Sequence, residues 1–184
     1  QLQRTTQAYD AANRQIRIQN ALGNIHTTVF DAAGRTLATV NPLGNRVTFG
    51  YDNASRQVTV KNPLGNVTTT LYDAASRPVA TINPLALRTT QLYNAAGWQI
   101  AVRDANNNRT TTVYDALGRG IAQVDAKALR TTTVFDAGGR QVALVDARSN
   151  RNSFSYDAAS RQVKRKNPLS QITTLAYDAA GRQT

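Results

Sequence analysis

Aromatic residues punctuate the chain at a fixed interval: Tyr9, Phe30, Tyr51, Tyr72, Tyr93, Tyr114, Phe135, Tyr156 and Tyr177 stand 21 residues apart with no insertion or deletion between them. With each aromatic taken as position 0, the averaged unit reads YDAAGRQVAxVxNPLGNxTTTxY. Two stretches rich in Val, Ile, Thr and aromatics alternate in it with two polar turn signals, D-A-A-G and N-P-L-G-N. Short runs of that composition, bounded by Gly, Pro, Asn and Asp, read as strands joined by hairpin loops. A fixed period of about twenty residues marks a repeat architecture, in which each unit buries its apolar face only against its neighbours. The prediction is an all-β fold with two strands per repeat, about 17 in total, in one continuous antiparallel sheet that curls into a tube, spiral or shell. The competing arrangement is a parallel β-solenoid, which would stack successive tyrosines at about 4.8 Å. Residues 1–184 form a single array of eight full periods and a partial ninth, expected to be a segment of a longer chain.

The turns carry most of the pattern. Asp at +1 can bond its own backbone two residues on, and Gly or Asn at +4 (Asn13, Gly34, Gly97, Gly118, Gly139, Gly181) can take the left-handed conformation that closes a bulged hairpin. Ser at the same place (Ser55, Ser76, Ser160) fits less well. In the second turn Pro42, Pro63, Pro84 and Pro168 preset φ for the second residue. Asp at +1 and Arg at +5 occur together in eight of nine repeats, including Asp31 and Arg35, Asp52 and Arg56, Asp73 and Arg77, Asp115 and Arg119, Asp136 and Arg140, and Asp157 and Arg161. The exception, YNAAGW at 93–98, loses both at once to Asn94 and Trp98. Joint loss is what a cross-hairpin ion pair predicts, and Trp98 is then expected to lay its ring over neighbouring apolar or Thr side chains. A second coupling reads the same way: Asp104, Asp125 and Asp146 at +11 are each followed at +16 by Arg109, Arg130 and Arg151.

If +1 faces +5 and alternation is regular, +20 of one unit faces +7 of the next. Position +7 is apolar in all eight cases, from Ile16 to Val163, so it is assigned to the core face. The aromatics then fall on the opposite face beside Gln at +6 and Ala at +8, forming a ladder with rungs about 10 Å apart.

Composition adds little chemistry. The formal charge of +11 invites an anionic partner, but the regular Arg at +5 has an Asp partner in nearly every repeat, which argues against nucleic acid. There is no Cys and no Glu, the 11 Asp sit at turn positions, and the one histidine, His26, occupies a slot that Thr or Val fills in most other repeats. No catalytic, cofactor-binding or metal-binding constellation breaks the repeat. No apolar run is long enough to span a membrane as a helix. Sequons at Asn53, Asn66 and Asn108 matter only in a glycosylating host.

The unit YDAAGR followed by NPLGN and TTTxY resembles the RHS repeat, also called the YD repeat, and the resemblance covers the whole chain in nine registered copies. It implies strands of a long antiparallel sheet that spirals into a hollow shell or barrel, as in bacterial toxin complexes, polymorphic toxins and teneurins. It also implies a non-catalytic structural wall in a large secreted or cell-surface protein, with other repeats as partners and, in some members, an enclosed C-terminal toxin domain. The family's self-cleaving C-terminal motif is absent from these residues, so encapsulation and autoproteolysis attach to none of them. The other reading of the same residues is a nucleic-acid- or glycan-binding surface that uses the Arg and Tyr ladders.

Overall fold

The computed structural model describes residues 4–184, and these contain seventeen strands and no helix. The chain comprises two compact units, Gln1–Thr90 and Gln91–Thr184. The first holds β1 (Thr6–Tyr9), β2 (Gln15–Gln19), β3 (Ile25–Phe30), β4 (Thr36–Val40), β5 (Arg46–Tyr51), β6 (Gln57–Lys61), β7 (Val67–Tyr72), β8 (Pro78–Ile82) and the start of β9 (Arg88–Tyr93). The second holds β10 (Gln99–Arg103), β11 (Arg109–Tyr114), β12 (Gly120–Val124), β13 (Arg130–Phe135), β14 (Gln141–Val145), β15 (Arg151–Tyr156), β16 (Gln162–Lys166) and β17 (Ile172–Thr174). Strands pair antiparallel with their sequence neighbours and belong to one sheet. The antiparallel pairing excludes the β-solenoid.

Every hairpin is closed by the same five-residue turn. In the first turn of a repeat Asp31 N donates to Arg35 O at 2.9 Å and Gly34 N to Asp31 O at 3.0 Å; in the second, Asn41 N donates to Asn45 O at 3.0 Å and Gly44 N to Asn41 O at 2.9 Å. The residue before the closing position, at +4 or +14, has a φ between 58° and 85° in all seventeen turns. Glycine meets this demand without strain, and a residue with a Cβ meets it at a cost of roughly 1–2 kcal/mol. Ser55, Ser76 and Ser160 nevertheless adopt it, with φ of 61°.

Regular alternation fails just beyond the first turn. In seven hairpins position 0 pairs with +6 and the residue before it pairs with +8, so that +7 is the extra residue of a β-bulge: Tyr114 faces Gly120 and Val113 faces Ala122, and Ile121 faces neither. A one-residue slip of this kind exchanges the two faces of the strand. The assignment of +7 to the core face is therefore incorrect. The buried residues of the sheet are the +8 alanines Ala38, Ala80, Ala101, Ala122 and Ala143, at 0–3% exposure, while Leu37 at +7 is 36% exposed. The aromatics lie on the face opposite these alanines, not beside them.

The bulged register exposes a size rule. Where +20 is Val29, Leu71, Val113 or Val134, the residue opposite it at +8 is Ala38, Ala80, Ala122 or Ala143. Where +20 is small, at Ala8, Gly50 or Ser155, the opposite residue is larger: Arg17, Thr59 or Lys164. A Cβ placed on Gly50 would collide with Thr59 Oγ1. Large and small side chains thus interdigitate across each hairpin, as close packing requires.

Candidate functional site

The first turn gives Asp at +1 two tasks. Its Oδ1 caps the turn backbone: Asp52 Oδ1 accepts from Ala54 N and Arg56 N, each at 2.9 Å. Its Oδ2 accepts from the arginine, with Arg56 Nε at 2.7 Å. All eight Asp and Arg pairs make this contact at 2.6–2.8 Å, from Asp10 and Arg14 to Asp178 and Arg182, and they are the ion pairs present among the described residues. The second turn uses the same cap and lacks the arginine, so Asn suffices there: Asn41 Oδ1 accepts from Leu43 N and Asn45 N.

Arginine also reaches beyond its own turn. Arg56 Nη1 donates to Asp73 O at 2.8 Å and to Ser76 Oγ at 3.2 Å, both in the next repeat, and its guanidinium carbon lies 5.0 Å from the centroid of the Tyr72 ring. Arg14, Arg35, Arg119, Arg140 and Arg161 cover Phe30, Tyr51, Phe135, Tyr156 and Tyr177 in the same way at 4.7–5.2 Å. The hydroxyls of Tyr51, Tyr72, Tyr114, Tyr156 and Tyr177 then donate back to the +6 carbonyl of the preceding repeat, as Tyr51 does to Thr36 O at 2.8 Å and Tyr114 to Gln99 O at 3.0 Å. Within each unit, carboxylate, guanidinium and ring therefore form a ladder that ties successive turns together. The three serines at +4 accept from the arginine of the preceding repeat (Arg35 to Ser55, Arg56 to Ser76, Arg140 to Ser160), which offsets their left-handed backbone. Sequence reading missed these hydroxyls because the donor lies 20 residues away.

Trp98 takes the arginine's place in this ladder. Its ring centroid lies 5.3 Å from that of Tyr114 at an interplanar angle of 43°, in a tilted aromatic contact. It packs against Tyr114 and beside the Gly118 turn. Asn94 Oδ1 still accepts from Trp98 N at 2.9 Å, so the cap survives and only the carboxylate, which has no cation of its own turn to hold, is dispensed with. A Cβ on Gly118 would lie 2.8 Å from Trp98 Cζ2, whereas one on Gly139 would lie 3.7 Å from Arg119 Nη1. Gly118→Ser is accordingly expected to destabilise the second unit by about 1–3 kcal/mol through overpacking, and Gly139→Ser by about 1 kcal/mol or less because Arg119 gains an acceptor. Urea unfolding followed by the fluorescence of Trp98, the only tryptophan, measures both.

The +11 aspartates do not pair with the +16 arginines. Asp104 Oδ2 accepts from Asn108 Nδ2 and Asp146 Oδ2 from Asn150 Nδ2, both at 2.9 Å, while Asp125 accepts from the backbone of Lys127 and Leu129. The register sets each +16 arginine opposite +10, so Arg109 faces Arg103, Arg130 faces Val124 and Arg151 faces Val145.

Ten aspartates are held below the ordinary carboxylate value of 3.8. At Asp31, Asp52, Asp73, Asp136, Asp157 and Asp178 the largest cause is the bond from the backbone N–H of the +5 arginine. A pKa lower in the folded than in the unfolded chain contributes stability above the unfolded value and loses it as pH falls through the folded value. The melting temperature is expected to stay level from neutral pH down to about 4 and then to fall with further acidification. A profile flat to pH 2 would contradict this origin of the shifts.

Among the described residues no group of three or more His, Cys, Asp or Glu is placed to hold a metal ion, and no helix is long and apolar enough to cross a membrane. His26 lies exposed in β3 opposite Ile18.

Two stretches, residues 30–67 and 93–128, match the family model described as RHS Repeat. No curated protein sequence matches the chain. Among solved structures, a chain of the Photorhabdus luminescens Tc holotoxin pore, in a point-mutant form, superposes with a TM-score of 0.65 at 14% identity, over 98% of this chain and 12% of that one. The TcdB2-TccC3-Cdc42 complex gives 0.39 at 14% identity over 98% and 15%. A porin-like protein from Bacteroides uniformis gives 0.37 at 11% identity over 100% and 89%. The chain thus spans only 12% and 15% of these two toxin-complex chains.

Proposed function

The chain carries RHS repeats, and we propose that it is a stretch of non-catalytic structural wall in a large secreted or cell-surface RHS-type protein, where it bounds a hollow shell or a tubular fibre. The observation that carries this reading is the ladder: the polar and aromatic residues that recur in every unit are spent on joining each turn to its neighbour. Such coupling suits a wall in which every repeat leans on the next. The partners are adjoining repeats of the same or identical chains and, in a closed shell, a C-terminal toxin domain of the parent protein. The described fold of the Tc holotoxin chain supports the architecture.

Electron cryomicroscopy of the full-length parent protein tests the proposal. These repeats are expected in the wall of a closed or tubular particle, with density continuous through the ladder turns. Repeats that project as a separate domain, with no lumen behind either sheet face, would overturn it.

A further inference from the structure

Six cations of the second unit, Arg103, Arg109, Arg130, Arg151, Lys164 and Lys166, stand on one sheet face without an ionic partner. Arg103 of β10 is directly opposite Arg109 of β11. The same face continues through Thr111 to Val124, from Val124 to Arg130, through Thr132 to Val145, from Val145 to Arg151, and through Ser153 to Lys166 of β16, because opposed residues and residues two apart share a face. All six cations are exposed. The aspartates nearest in sequence are bonded into their own turns, and the ion pairs among the described residues all lie in the first turns. Arg130 and Arg151 are steadied only through Nε, by Thr132 Oγ1 at 3.2 Å and Ser153 Oγ at 3.3 Å.

Like charges directly opposite each other in a sheet cost stability, and a wall has no use for them. In the first unit the same face carries Arg17, Arg46, Lys61 and Arg88, but +16 there is Ile25, Arg46, Val67 and Arg88, so arginine does not recur on every second strand as it does at Arg109, Arg130 and Arg151. At the far end of the row, Arg151, Ser153 and Lys166 line a polar groove of about 240 Å³. Arginines on every second strand are separated by about 10 Å.

We infer that this row binds an extended acidic polysaccharide. Guanidinium forks match carboxylate and sulfate oxygens in pairs, and a cation on every second strand suits a polymer whose anionic groups recur with each disaccharide. The neighbouring Thr and Ser hydroxyls can bond sugar hydroxyls. A nucleic acid is disfavoured because the face carries no aromatic residue on which a base could stack: in the described chain every Tyr and Phe lies at position 0 or two residues before it, on the opposite face. The inference holds whether or not the wall encloses a cargo.

Binding of the 184-residue chain to heparin and to polygalacturonate, measured by calorimetry at low and moderate salt, tests it against a single-stranded DNA oligomer and anionic lipid vesicles. Arg103→Gln with Arg130→Gln and Arg151→Gln is expected to weaken polysaccharide binding by about tenfold or more, as the loss of three exposed charge contacts implies, and Arg151→Gln alone to give part of that loss. Arg46→Gln with Lys61→Gln and Arg88→Gln removes the same charge from the first unit and is expected to leave affinity within about twofold. Unchanged circular dichroism and Trp98 fluorescence establish that the variants remain folded. Equal losses in the two triple variants, no polysaccharide binding by the parent chain, or tighter binding of DNA or vesicles would each overturn the assignment.

Discussion

Gly50→Val lowers the stability of the first unit by about 1–3 kcal/mol, and Thr59→Ala in the same chain recovers that loss. Gly50 is opposite Thr59 in the bulged register, and any Cβ there meets Thr59 Oγ1. Thr is β-branched and stiff at χ1, so it cannot swing away freely. The double variant recreates the Val and Ala pairing found at Val29 with Ala38, Val113 with Ala122 and Val134 with Ala143. A double-mutant cycle in thermal or urea unfolding should therefore show strongly favourable coupling between the two replacements. Additive effects would mean that +20 and +8 do not pack against each other.

Arg56→Ala costs about 2 kcal/mol, more than an exposed ion pair can supply. The ion pair with Asp52, at 24–27% side-chain exposure, contributes only about 0.5 kcal/mol. The Tyr72 ring contact adds about 0.5–1 kcal/mol, and the bonds to Asp73 O and Ser76 Oγ about 1 kcal/mol. Arg56→Lys keeps the charge and loses the planar fork, so it should recover less than half of the loss. High salt, which screens exposed pairs, should remove only the smaller part of the arginine's contribution. If lysine restored full stability, the ladder would be no more than a row of ion pairs.

The turns were legible in the sequence because each demand falls on one residue. A left-handed φ calls for Gly or Asn, and an Asx cap calls for Asp or Asn, so +1 and +4 declare themselves, whereas at +14 Ala86, Ala128, Ser149 and Ser170 take the same φ without that signal. The inserted residue at +7 did not, because Ile121 and its equivalents are apolar whether they are core or bulge. Once the register shifts, the small residues Ala8, Gly50 and Ser155 explain the large ones opposite them, a signal present in the chain but hidden by regular alternation. Trp98 was the visible trace of the ladder: an aromatic can replace a guanidinium over the next ring, but nothing local to 93–98 points to Tyr114 as that ring. The Asp and Arg association at +11 and +16 misled, since a one-dimensional association cannot distinguish a contact from two residues that have different neighbours.

The natural absence of cysteine allows the bulged register to be tested by introduced pairs. Residues directly opposite in an antiparallel pair have Cα atoms about 4.5–5.5 Å apart, within reach of a disulfide, and neighbours on the other face point away. Val113→Cys with Ala122→Cys should close under mild oxidation, and Val113→Cys with Ile121→Cys should stay reduced, as quantified by mass spectrometry of the thiol-alkylated chains. Rapid closure of the Val113 and Ile121 pair, with the Val113 and Ala122 pair left open, would contradict the register on which the alanine packing and the separation of the two sheet faces depend.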